Sequence, residues 1–599
     1  MIYHCEDHTC NYWDEGEKLP ERCPQCGRKL LRANEADMTG DDWTALGNTL
    51  WDAEASDKKR MVDCFRKAAY LGSAWGVCNL GICMEQGNGV EADPVQAFWL
   101  YRQAVEMGSL NAVCCLGVCY QYGIGTAPDA EKAAELYCKA AEYGSPRGQM
   151  LLARAFHDGI GVEADAAEAV YWVRAAAYQR YGEGMYRLGV CYEYGDGVEQ
   201  NWEHAVHWFR EAAESGVSVA MADLGYCYEK GCGVEQSWEQ AFSWYRRGAE
   251  CGDLRSMHNL GYCYEKGRGV EQSWEQAFSW YRRGAECGYP VSMSNLGLCY
   301  KRGYGVDQNW QEAIKWYEQG AQCGDLQSMH NLACCYERGE GVEQNEDRAL
   351  YWYRRGAEAG SDYCMYCLGW NYSNGEGVEQ NMTEAIRWYT AAAEGGNADA
   401  MHDLGWHYDH GEGVEQDMKK AICWYERAAE QNHPAAMNSL GECYAMGRGV
   451  PRDLETAMEW YRRAAELGEA MADYNMGWHL EQAGKLSEAY AHYRKAADGN
   501  DDSAWWALGR FYENGVVVAQ DGKEARRCYE TGEKLGSVKC KMRLARCKLL
   551  GIGGHRAKKA GLDLCRQALE LAKESSEKED YGYEAEMNLL RRTIAENES

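Results

Sequence analysis

Residues Asp253–Gly288 read DLRSMHNLGYCYEKGRGVEQSWEQAFSWYRRGAECG, and this 36-residue unit recurs along most of the chain. Residues 224–252 and 260–288 differ only at Cys232 versus Arg268, the mark of a recent duplication. A Leu-Gly or near equivalent returns every 36 residues from Leu80 to Met476. A degenerate copy precedes that run at Leu46, and two follow at Leu508 and Leu544. Self-similarity at such a period signals stacked supersecondary units.

Within the unit, Met257, Leu260, Gly261 and Tyr264 fall at i, i+3, i+4 and i+7, one face of a helix. Gly267 predicts a left-handed cap for that helix, and Gly269 a tight turn. Ser273 then suits an N-cap, with Gln276 three residues on as a capping box. Ala277, Tyr281, Gly284 and Ala285 share a face of the second helix, which Gly288 ends. The slot of Ala277 is alanine in all eleven units from Ala97 to Ala457, which lets two helices approach closely. Neither helix can bury its face alone, so the units must stack. The prediction is an all-α solenoid of about 14 helix-turn-helix repeats over residues 36–555, then capping helices and a tail over 556–599.

The chain has 599 residues, 46% of them apolar, enough for an extended core. Lys and Arg number 63 and Asp and Glu 93, a net charge of −30. Such a surface repels phosphate backbones and anionic lipids, which disfavours nucleic acid as partner. No apolar run is long enough to span a membrane, and Met1–Cys10 lacks the pattern of a signal peptide. A cytoplasmic protein is expected.

Tyr264-Glu-Lys-Gly-Arg-Gly-Val270, followed by Ala277 and Trp280-Tyr281, resembles the signature of Sel-1-like repeats, relatives of the tetratricopeptide repeat. The resemblance covers roughly residues 40–555. It implies a right-handed α-solenoid acting as an adaptor that gathers other proteins. The unit at Met476 departs from the pattern: it lacks Gly-x-Gly-Val, and residues 477–499 look more like a tetratricopeptide unit.

Residues 1–35 carry Cys5-x4-Cys10 and Cys23-Pro-Gln-Cys26-Gly27, which resemble a zinc ribbon. Four thiolates can enclose Zn²⁺ in a closed tetrahedral shell, a structural rather than catalytic site. The first pair is wider than usual, and His4 or His8 are alternative ligands. Disulfides or free thiols are the other reading. The segment has no basic face, so a folding clip or protein contact is favoured over nucleic acid.

Cys83, Cys119, Cys191, Cys227, Cys263, Cys299, Cys335 and Cys443 share one slot. Equivalent atoms in neighbouring repeats should lie about 8–10 Å apart, beyond the reach of a disulfide. The column is expected to act as small buried hydrophobes. The Trp column at Trp172, Trp208, Trp244, Trp280, Trp316, Trp352, Trp388, Trp424 and Trp460 is likewise expected to pack.

By analogy with tetratricopeptide units, the first helix faces the concave groove. That places His258, with His330, Tyr366, His402 and Tyr474 as equivalents, toward a partner. The slot of Tyr262 adds Tyr226, Trp370, Trp406 and Trp478. Glu193, Glu229, Glu265, Glu337 and Asp409 form acidic rungs between them. Such a groove suits a protein or peptide, and a basic or arginine-containing one by charge and cation–π contact. The competing reading is that these aromatics pack between repeats.

No catalytic constellation stands out, and no small-molecule substrate is expected. His204/His207 and His407/His410 have metal-like spacing but no evident third ligand. Ser56-x-x-Lys59 and Ser575-x-x-Lys578 match the first β-lactamase motif without its companions. A β-lactam-binding or hydrolysing activity, ascribed to some cysteine-rich relatives, is the alternative from another class. Nucleic-acid association through the ribbon is a third.

Overall fold

The Gly-x-Gly-Val loops do what their composition demands. The helix Leu254–Lys266 ends at Gly267, which adopts φ +65° and donates its backbone N–H to the Cys263 carbonyl. Gly269 has φ +70°, and a Cβ there would run into the carbonyl of Trp238, at the start of the preceding hairpin's second helix. That glycine is therefore a contact between hairpins as well as a turn. Ser273 accepts from the Gln276 N–H and opens the helix Trp274–Glu286. The same hairpin recurs with 13-residue helices along the array. We call its first helix A and its second helix B.

The structure is a computed structural model that describes residues 2–5, 13–15, 30–32, 38–51, 55–578 and 583–598. The described part holds 31 helices and three short strands. It divides into two units, Met1–Asn309 and Trp310–Ser599. The first holds seven complete hairpins and the A helix Pro290–Arg302. The second begins with the B helix Trp310–Gln322, continues through seven hairpins and closes with Glu584–Glu598. Repeated helix hairpins thus form a solenoid, as the period predicts. The hairpin at Met476 turns differently: Ala470–Gln482 reaches Leu486–Asp498 through a three-residue link with Gly484 at φ +76°.

The strands β1 (Ile2–Cys5), β2 (Trp13–Glu15) and β3 (Leu30–Arg32) form an antiparallel sheet in the order β2-β1-β3. Cys5 ends β1 opposite Leu30. Cys10, Cys23 and Cys26 lie outside the described residues, as do the side chain of Cys5 and those of Ser56 and Ser575.

The core of most hairpins is a glycine against a ring. A Cβ on Gly261 would lie 2.7 Å from two ring carbons of Tyr281, which is buried on the B helix. Gly225 faces Tyr245, Gly405 faces Tyr425 and Gly441 faces Tyr461 in the same way. The alanine column from Ala97 to Ala457 is buried throughout. At the far end, the terminal helix Glu584–Glu598 is clamped by Arg543, whose Nε and Nη2 donate to the two carboxylate oxygens of Glu586 at 2.6 and 2.7 Å. Among the described residues, no helix is long and apolar enough to cross a membrane.

Candidate functional site: the A-helix face

The A helices carry the residues expected to meet a partner, and the structure sorts them into two sets. Residues in the slot of His258 sit between successive A helices. His258 packs on Tyr281 (5.6 Å) and Tyr289 (5.9 Å), and Asn295 of the next A helix lies 3.4 Å from its Nδ1. Burial pushes its imidazole down to about 4, so it is neutral at pH 7. His330 packs on Tyr353 and Tyr363, and Tyr474 on Tyr493. His402 stacks on His433 at 5.2 Å, with Ser439 Oγ 3.5 Å from its Nε2. The Tyr366 hydroxyl donates to Asp403 at 3.1 Å.

These contacts follow a rule that repeat spacing alone conceals. The pairs His258–Asn295, Tyr366–Asp403, His402–Ser439 and Asn438–Asn475 are each 37 residues apart, one more than the period. Hydrogen bonds Tyr186–Asp223 and His330–Cys367 extend the series. Adjacent residues point about 100° apart around a helix, so they face opposite neighbours. The slot two before the recurring leucine meets the slot one before it in the next hairpin.

The slot of Tyr262 behaves differently. Tyr226, Trp370, Trp406 and Trp478 keep 43, 46, 38 and 38% of their surface exposed. Tyr262 itself is half-buried under Arg268, whose guanidinium sits 5.4 Å from its ring. Trp406 stacks on His410 at 4.3 Å. Three indoles therefore stand at one register in the second unit, interrupted at Glu442.

The acidic rungs serve the scaffold as well as the surface. Tyr245 and Tyr281 each donate a hydroxyl to Glu229 and Glu265 at 2.8 Å, and Tyr353 donates to Glu337 at 3.2 Å. Lys230 and Lys266 pair with the other oxygens of Glu229 and Glu265 at 3.0 and 2.8 Å. Asp409 is buried and receives Arg448 at 3.1 Å. Burial raises the carboxyls of Glu193 and Glu337 above the usual range. Internal partners thus absorb much of the charge that composition assigned to the groove. For Glu229, Glu265 and Glu337 the signal was the 16-residue spacing between carboxylate and tyrosine.

Other sequence expectations find their places. The cysteine column is buried, apart from half-buried Cys191, and among the described residues its members form no disulfide. Burial pushes Cys263 up to about 12, the behaviour of an inert small hydrophobe. Cys251, Cys287 and Cys323 are exposed. The Trp column is capped from outside: Arg247, Arg427 and Arg463 lie 4.2, 4.2 and 4.4 Å over Trp244, Trp424 and Trp460. His407 is buried, with Nδ1 at 3.0 Å from the Glu412 carbonyl, while His410 Nδ1 lies 3.0 Å from the Trp406 carbonyl. Among the described residues, no group of three His, Cys, Asp or Glu is placed to hold a metal ion.

Stacked helical hairpins with an aromatic face on their first helices define a repeat solenoid of the kind that presents surface to other proteins. The Sel1 repeat profile matches thirteen segments, from 76–109 through 504–537, and the chain belongs to the Sel1 repeat family. Among solved structures it is similar to c5321 of uropathogenic Escherichia coli, a protective antigen with an SLR fold. The two are 32% identical, covering 75% of this chain and 97% of that one, with a TM-score of 0.52. A Sel1 repeat protein from Oxalobacter formigenes is 31% identical, covering 41% of this chain and 96% of its own, with a TM-score of 0.38. A comparison with curated proteins found no match.

Proposed function

We propose that the protein is a non-catalytic scaffold that binds a protein or peptide segment along its A helices, with Trp370, Trp406 and Trp478 as anchors. The observation that carries this reading is the exposure of all three indoles at one repeat register. Single exposed aromatics are ordinary, but a register of them concentrates apolar area with few rotors to freeze. The net charge of −30 favours a basic segment, whose arginines can lie over the rings. The test is capture from native extract by wild type and by a Trp370→Ala/Trp406→Ala/Trp478→Ala variant. Loss of specifically retained proteins with an unchanged melting curve supports the reading. Retention of the same set by the variant rejects it.

For the N-terminal module we propose structural zinc on Cys5, Cys10, Cys23 and Cys26. The sequence spacing supports it, and so does the β1–β3 register, which sets Cys5 beside the strand that begins four residues after Cys26. One zinc per chain by elemental analysis, lost in Cys23→Ser/Cys26→Ser, is the expected result. Zinc-free protein purified without chelator would refute it.

A further inference from the structure

The 37-residue pairing joins polar or aromatic groups along most of the array, but in the second and third hairpins it joins two thiols. Cys78, on the A helix Ala74–Gln86, makes a hydrogen bond with Cys115 on the next A helix, Leu110–Tyr122. A third A helix, Pro146–Asp158, contributes Arg147, whose Nη1 donates to Cys115 Sγ at 3.6 Å. Neighbouring Cys114 faces Ser145 Oγ at 3.9 Å instead. Glu85 is the other charged group felt at the pair. Cys115 keeps 5% of its surface exposed, and Arg147 beside it is exposed.

The two sulfurs are electrically unlike. The hydrogen bond from Cys78, then Arg147, draws the Cys115 thiol down against the effect of burial. Cys78 is raised and keeps the proton. The column cysteines are raised instead, Cys119 and Cys263 to about 12. A thiolate is the nucleophile in sulfur oxidation, so the pair differs from the rest in kind.

We propose that Cys78 and Cys115 form an oxidation site that hydroperoxides convert to a disulfide between successive repeats. The Cys115 thiolate attacks one peroxide oxygen of hydrogen peroxide; the O–O bond breaks, and the departing hydroxide takes a proton to become water. The resulting Cys115 sulfenic acid is attacked by Cys78, whose proton leaves with the hydroxyl as a second water. Two thiols and one peroxide thus give one disulfide and two waters. Arg147 stabilises the attacking thiolate and is a positioning residue. A disulfide holds its sulfurs about 2.05 Å apart and its Cα atoms within about 7 Å, so forming it draws the two adjacent A helices together at this point. The product staples the second hairpin to the third.

The experiment treats the full-length reduced protein with hydrogen peroxide, alkylates remaining thiols and maps tryptic peptides without reduction. A peptide linking Cys78 to Cys115 is the expected first product. Cys114→Ser should still form it, and Arg147→Met should slow its formation at neutral pH at least five-fold. Because the wild type itself is mapped, the result does not depend on a variant folding. Oxidation of Cys115 to sulfinic acid with Cys78 still reduced would overturn the proposal. So would first linkage of either sulfur to another cysteine, or thiol loss that begins at the exposed Cys251, Cys287 or Cys323 and spares the pair.

Discussion

Adding one methyl group at Gly261 tests the glycine-on-ring packing on which most of the hairpins depend. The new Cβ would lie 2.7 Å from Cδ1 and Cε1 of Tyr281 and 3.2 Å from Cζ, against about 3.5–4.0 Å for a comfortable carbon contact. Tyr281 is 1% exposed, and its hydroxyl donates to Glu265, so the ring is held at both ends. Overpacking of this kind costs about 1–3 kcal/mol. Alanine returns about 1 kcal/mol in helix propensity relative to glycine. The chain supplies its own comparison. Ala153 takes the glycine slot where the B helix offers Val173, and Ala545 does so where it offers Cys565. Ala333 does face a tyrosine, and there the Tyr353 hydroxyl sits 3.2 Å from Glu337 rather than 2.8 Å. Gly261→Ala should therefore cost about 1 kcal/mol net. A repeat array need not unfold in one step, so the measurement must be local. Native-state hydrogen exchange over 254–286 should speed about five-fold. In a Tyr281→Val background the same change should be neutral or protective. Slower exchange in Gly261→Ala alone would show that the ring does not fill that space.

Three further outcomes follow from named contacts. Gly269→Ala should lower the melting temperature more than Gly288→Ala: both glycines have positive φ, but only the first would drive a Cβ into a backbone carbonyl, while the second faces open space. His258 should make its hairpin less stable as pH falls from about 6.5 toward 4, because the unfolded chain binds the proton that the buried ring refuses. Above that window its contribution is complete and flat, and His258→Gln should remove the pH slope in hydrogen exchange across the hairpin. Arg448→Ala should destabilise the hairpin around Asp409 by about 1–3 kcal/mol, since that buried carboxylate loses its cation, and Asp409→Asn should recover much of the loss in the double variant.

Much of this architecture was legible because its determinants are close in sequence. Leu260, Gly267, Gly269, Ser273 and Ala277 lie within one unit, and each acts through its own turn or its own helix pair. Repetition then multiplied the signal. The cysteine column was read by the same logic as small buried side chains, and all its members but half-buried Cys191 are buried.

The site was less legible. His258 and Tyr262 are four residues apart on one A helix, yet the first packs against Asn295 of the next A helix and the second lies half-buried beneath Arg268. Glu265 reads as a solvent-facing acid until Tyr281 is seen to donate to it. Argument by equal slots also missed Cys78 and Cys115, which occupy unequal ones.

From the chain alone came the helices, their caps, the hairpin and the necessity of stacking, because backbone propensity and apolar periodicity are local. Only the assembled hairpins decided which side chains meet. That outcome rests on the angle at which one helix rests against the next, and a single residue's rotation, about 100°, separates an exposed indole from a buried imidazole or an inert thiol from a paired one.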